Sequence, residues 1–155
     1  MSQSELVYRI YIRSTQERLW EALYKPEHTS RYWGVEFASD WAEGSPITWS
    51  YVGVTIEDPE SVVIAFEPPH HLSYKWHMTT PELARAVGMS EEMRRRLDSE
   101  LRSTADFRLE PSKDMIKLTL RQSGFGSGRA KLESLTESWP RIMSQLKTYL
   151  ECESA

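Results

Sequence analysis

Polar and apolar residues alternate with a period of two from Leu6 to Arg13, where Tyr8, Ile10 and Ile12 share one face and Arg9, Tyr11 and Arg13 the other. That period predicts a β-strand with one wetted side. Ser14-Thr15-Gln16-Glu17 then offers a helix-capping pattern, and Leu19, Trp20, Leu23 and Tyr24 recur at helical spacing until Pro26. A second short helix or turn is expected over His28 to Trp33. Alternation resumes in segments bounded by turn residues: Val35 to Trp41, Ile47 to Glu57, Ser61 to Glu67, Leu72 to His77, Ser103 to Glu110 and Met115 to Gln122. Glu43-Gly44-Ser45-Pro46, Asp58-Pro59-Glu60 and Pro111-Ser112-Lys113-Asp114 read as the turns between them. Connections this short make the sheet mostly antiparallel.

Two segments leave the strand pattern. Between Thr79 and Arg102, Thr80-Pro81-Glu82 opens a helix that Gly88 closes, and Ser90 caps another with Met93, Leu97 and Leu101 four residues apart. This predicts two short helices inserted between two strands. The last segment, from Leu132 to Leu150, is the clearest. At about 100° per residue, Leu132, Leu135, Trp139, Ile142, Met143, Leu146, Tyr149 and Leu150 fall within an arc of about 120°. Pro140 lies on the polar side, where the carbonyl it deprives of a partner can bond to water. The helix either kinks or divides at Pro140, because the residue before a proline disfavours helical angles. The unbroken phase of the apolar arc favours one kinked helix.

The strands supply a partner for that arc. Ile47, Trp49 and Tyr51 share a face, as do Leu72, Tyr74 and Trp76, then Ala105, Phe107 and Leu109, then Ile116, Leu118 and Leu120. One apolar face per strand means one face of the sheet is covered. The expected fold is α+β: a curved antiparallel sheet wrapped on a long C-terminal helix, as one domain over residues 1–155 with a helical insertion at 79–102.

Composition narrows the chemistry. The chain has 155 residues, a net charge of −4 and one cysteine, Cys152. No basic footprint suggests nucleic acid, and the run Arg94-Arg95-Arg96 is balanced by Glu91, Glu92, Asp98 and Glu100. No window approaches a membrane span, and a lone cysteine points to no oxidising compartment, so a cytoplasmic protein is expected. Six Trp, seven Tyr and four Phe form a large aromatic load. Trp33, Trp49, Tyr51, Tyr74, Trp76, Phe107, Trp139 and Met143 are the candidate ligand-binding residues. Each ring alone could be ordinary core, since burying one stabilises by ~2–3 kcal/mol. As a set they suit a concave apolar site.

Other chemistry is poorly supported. His77 is expected on the wet face, and His70 and His71 diverge at a turn, so no metal is expected. Asp106 and Glu110 are expected to face water, while Asp40 and Glu36 could reach a pocket rim; none has an inward acidic partner, and no catalytic residue is assigned. Gly124-Phe125-Gly126-Ser127-Gly128 lacks the Lys-Ser/Thr of a phosphate loop and reads as a connection. No cofactor is expected. Met93, Leu97 and Leu101 could cover a pocket mouth, form a homodimer contact or pack within the chain.

Four stretches in order, Ile12–Tyr24 (IRSTQERLWEALY), Phe66–Trp76 (FEPPHHLSYKW), Leu118–Phe125 (LTLRQSGF) and Trp139–Leu150 (WPRIMSQLKTYL), carry a resemblance. They resemble the SRPBCC superfamily with its START-like helix-grip fold, and within it the relatives of the activator of heat-shock protein 90 ATPase. The insertion at 79–102 and the missing glycine before Trp139 depart from that pattern. The resemblance implies a binder of a small apolar molecule, a stress-related co-chaperone with a chaperone partner, or a cyclase-like enzyme acting through Tyr51 or Tyr74. The inward aromatics without an inward catalytic group favour the binder, with a small apolar ligand between sheet and helix.

Overall fold

A computed structural model describes residues 5–76, 80–99, 103–125 and 129–153. Strand β1 (Leu6–Ile12) is followed by α1 (Gln16–Tyr24) and α2 (Pro26–Tyr32), then by β2 (Val35–Ala38), β3 (Pro46–Tyr51), β4 (Val54–Glu67) and β5 (His71–Trp76). The insertion holds α3 (Pro81–Val87) and α4 (Glu91–Asp98); β6 (Ser103–Ser112), β7 (Met115–Ser123) and α5 (Ala130–Glu153) complete the order. The strands form one seven-stranded antiparallel sheet, β1-β7-β6-β5-β4-β3-β2.

Local chemistry explains the helix starts. The hydroxyls of Thr15, Thr80 and Ser90 accept from the backbone N–H groups of Arg18, Leu83 and Met93, satisfying donors that the first turn leaves unpaired. Gly88, with φ +75°, ends α3 in the left-handed region. Helix α5 runs from Ala130 to Glu153 through Pro140 without a break, so the two-piece alternative does not occur. Its apolar arc faces the sheet: Trp139, Met143, Leu146 and Leu150 are fully buried, with Leu135, Ile142 and Tyr149 partly buried beside them. Leu97 of α4 is buried while Met93 is exposed, and both border a cleft against Glu133, Ser134 and Glu137 of α5. Leu101, His77 and 126–128 of the glycine-rich stretch lie outside the described residues.

Three boundaries differ from expectation. The segment Ile47–Glu57 is two strands, because the chain turns at Val52-Gly53, with φ +46° and +80°. Two successive positive φ values make a hairpin turn whose twist matches its strands. Valine is rarely found there, so the alternation hid the turn. Asp58-Pro59-Glu60 is not a turn but an enlarged bulge inside β4: Thr48 pairs with Glu57, and Pro46 with Val62. Pairing with β5 begins only at Val63, so Pro59 meets no ladder that needs its missing N–H. Strand β2 stops at Ala38 rather than continuing to Trp41, whose φ of +61° takes it out of extended geometry.

Candidate functional site

The site begins where α2 ends. Trp33 and Gly34 both donate their backbone N–H to the Thr29 carbonyl, at 2.9 and 3.0 Å. Gly34 has φ +81°, a conformation that side chains strain to reach. The reversal starts β2 and leaves Trp33 against α5, its ring centroid 5.4 Å from that of Trp139 and 5.5 Å from that of Phe37. Across β2 and β3, Val35 pairs with Tyr51, which brings the Tyr51 ring to the same corner. Space remains between these groups and the helix: a cavity of about 460 Å³. Trp33, Tyr51, Leu135, Trp139 and Ile142 supply its apolar walls. Ser134, Ser138, Gln145, Arg31 and Arg141 add polar side chains to its lining. A second hollow, of about 400 Å³, shares Arg31, Tyr32, Arg141 and Gln145 with the first and continues along α5 past Ser144 and Thr148.

Of the eight candidate ligand residues, Trp33, Tyr51 and Trp139 line this cavity. Trp49, Tyr74, Phe107 and Met143 sit deeper in the packed core, each at most 2 % exposed. The side chain of Trp76 lies outside the described residues. The deeper rings form a continuous contact path: Phe37 to Tyr74 at 5.8 Å, Tyr74 to Phe107 at 5.9 Å, and Phe107 edge-on to Trp139 at 5.7 Å. They buttress the cavity wall by packing. A second aromatic group, Trp20 and Tyr24 of α1, Trp41 after β2 and Phe66 near the end of β4, joins this path through the Phe37–Trp41 contact at 6.2 Å.

Polar groups hold the wall in register with the sheet. Trp139 donates its indole N–H to Gln122 Oε1 at 2.6 Å, and Gln122 Nε2 donates to Ser103 Oγ at 2.7 Å. All three residues are buried, so each polar atom needs a partner inside the protein. Burial pushes the Tyr32 and Tyr74 phenols well above their usual pKa and keeps both neutral. Tyr32 donates its hydroxyl to the Ala22 carbonyl at 2.7 Å, tying α2 to α1.

The acidic and histidine candidates lie away from the cavity. Asp40 is exposed; the Ser45 hydroxyl and the Ala42 N–H hold its carboxyl below the usual range. Glu36 is exposed on β2. His71 lies between Glu67 Oε1 at 3.1 Å and Asp106 Oδ2 at 2.6 Å, and Arg108 donates to Asp106 Oδ1. Asp106, expected to face water, is thus partly enclosed by its ionic neighbours. Among the described residues no group of three or more His, Cys, Asp and Glu is arranged to hold a metal ion, and no helix is long and apolar enough to cross a membrane.

Nothing in the sequence marks Arg31, Arg141, Leu135, Ile142 and Gly34 as site residues. Leu135 and Ile142 stood on the apolar arc of α5, where nothing local separates a cavity wall from core. The two arginines come from helices far apart in the chain, and no spacing links them.

A seven-stranded antiparallel sheet that grips a long C-terminal helix, with an aromatic-walled cavity against that helix, defines a helix-grip α+β protein of the SRPBCC type. More narrowly, the chain belongs to the family described as Activator of Hsp90 ATPase homolog 1-like protein, whose model matches residues 13–151. Among solved structures it is similar to a Mesorhizobium loti protein at 25% identity, covering 96% of this chain and 97% of that one with a TM-score of 0.73. It also resembles an Aha1 dimer from Colwellia psychrerythraea (16% identity, 96% of each chain, TM-score 0.69). A third likeness is CalU16 from Micromonospora echinospora (16% identity, 94% of this chain and 73% of that one, TM-score 0.65). The last two likenesses bear on the fold alone. Comparison with curated proteins returned no match.

Proposed function

We propose that this protein binds a small hydrophobic or aromatic molecule in the cavity between the sheet and α5. The supporting observation is the cavity itself: its volume of about 460 Å³ falls in the range of small-molecule sites. Trp33 and Tyr51 offer aromatic surface, which suits an aromatic guest, and the buried Trp139 packs against Trp33. Trp49, Tyr74, Phe107 and Met143 act on the ligand through the walls they support, and Trp76 completes the candidate set. The unit is one domain over 1–155 with the 79–102 insertion as an elaboration near α5. The lone cysteine fits a cytoplasmic setting. The test is a titration with the neutral fluorophore N-phenyl-1-naphthylamine, paired with thermal-shift measurements. A saturable fluorescence gain and a raised Tm are expected, with both lost in L135W, which fills the cavity. Absence of saturable binding and of any Tm shift in the unaltered protein overturns the reading.

Family membership favours a second reading, a stress-related co-chaperone acting on a heat-shock protein 90 partner. The similar Colwellia protein is a dimer, so a homodimer belongs to this reading. Stimulation of the chaperone's ATPase is its readout, and no stimulation at saturating concentration overturns it.

A further inference from the structure

We infer that the cavity's ligand carries a negative charge: the site is built for an anionic amphiphile, an apolar or aromatic body ending in a carboxylate or sulfonate. The inference rests on the reading of the cavity as a ligand site and specifies the chemistry of its guest. Two arginines line the cavity from different helices, Arg31 of α2 and Arg141 of α5, and both also line the adjoining hollow. No carboxylate is among the described residues lining either space. This is a local cationic pair on a chain whose net charge is −4, so it departs from the average surface. Arg141 is exposed, and among the described residues it makes no ion pair. Its donors are therefore available to a guest.

The polarity of the cavity runs in one direction. Trp33, Trp139 and Leu135 make an apolar wall, while Arg31, Arg141 and Gln145 gather where the two hollows meet. Gln145, shared by both hollows, adds an amide donor. A guanidinium presents several N–H donors in a plane and pairs with planar or tetrahedral oxyanions through parallel hydrogen bonds. A ligand with its ring system against Trp33 and Tyr51 would present its anionic end to these donors. A neutral apolar ligand would gain nothing from the arginines. A cationic ligand would meet like charge.

The test compares two probes that share one skeleton. 8-Anilino-1-naphthalenesulfonate is anionic; N-phenyl-1-naphthylamine is its neutral counterpart without the sulfonate. Charge-assisted hydrogen bonds are among the stronger ones, so the anionic probe is expected to bind about tenfold tighter in low salt. The advantage should shrink as salt screens the partly exposed arginines. In R31Q/R141Q the anionic probe loses that tenfold while the neutral probe keeps its affinity; R31K/R141K retains part of the preference. Both arginines are exposed, so these variants keep the fold, and an unchanged Tm without ligand verifies it. L135W must abolish binding of both probes, which assigns them to this cavity. Equal affinity for the two probes, or a double variant that weakens neither or both alike, overturns the charge assignment and leaves the cavity reading standing. If the anionic probe binds but L135W does not reduce it, the charged site lies elsewhere and the inference falls. If neither probe binds, both readings fall together.

Discussion

The indole N–H of Trp139 donates to the side-chain oxygen of Gln122 across 2.6 Å, and both residues are fully buried. One bond thus locks the phase of α5 against β7, and through Ser103 against β6. Replacing Gln122 by leucine keeps the bulk but strips an acceptor from Trp139 and a donor from Ser103. Q122L is expected to lose about 2 kcal/mol and to lower Tm by roughly 4–8 °C. In a W139F background the same substitution should cost distinctly less, because the indole donor is already gone. Chemical denaturation of the four proteins in a double-mutant cycle measures that coupling.

Pro140 sits inside a continuous helix, with its ring where the Thr136 carbonyl would otherwise receive an N–H. P140A restores that bond on a partly solvated side of α5. The gain is reduced by the extra freedom alanine allows the unfolded chain. A net stabilisation of about 1–2 kcal/mol is expected in denaturant titrations. Unchanged stability would mean that the helix bends in a way alanine cannot follow.

Val52 is 53% exposed and holds φ +46° next to Gly53. A β-branched side chain is strained there, whereas asparagine tolerates the conformation and favours this hairpin turn. V52N should therefore stabilise by about 1 kcal/mol, although it replaces an apolar residue of a strand-rich region with a polar one. Thermal unfolding reads the effect directly.

Glu151 fastens the end of β1 to α5. Its carboxylate accepts from Lys147 Nζ at 2.6 Å and from the Arg13 backbone N–H at 2.9 Å, while Lys147 also donates to the Tyr11 carbonyl at 2.7 Å. The Lys147 hydrogen bond first, then the Arg13 N–H, hold the Glu151 carboxyl below its ordinary value of 4.5. A depressed carboxyl pKa contributes stability that is fully present above the unfolded value and lost as pH falls through the folded one. E151Q should therefore have a lower Tm than the unaltered protein at pH 7. The difference should narrow below about pH 4.5 and vanish once the native carboxyl is protonated. Tm measured against pH for both proteins provides the check.

Much of the fold was legible in the sequence because it depends on short-range periodicity. Spacing alone puts the eight apolar positions from Leu132 to Leu150 on one face, and Trp139, Met143, Leu146 and Leu150 are buried. The inward set Ile47, Trp49, Leu72, Tyr74, Phe107 and Leu118 followed from a period of two in the same way. Where local signals conflicted, pairing decided: Val52-Gly53 turns because β3 and β4 pair around it, and Asp58-Pro59-Glu60 stays within a strand because a bulge accommodates Pro59. Apolar spacing along the chain says which faces are oily and that a sheet and a terminal helix must cover one another. Which aromatic rings pack solidly and which border open space is settled by the packing of distant segments. A cavity is the volume left after distant segments pack, so Trp33, Tyr51 and Trp139 could not be separated from Trp49 and Phe107 by any pattern along the chain. The sharing of one cavity by Arg31 and Arg141 has the same origin: it arises where α2 packs on α5.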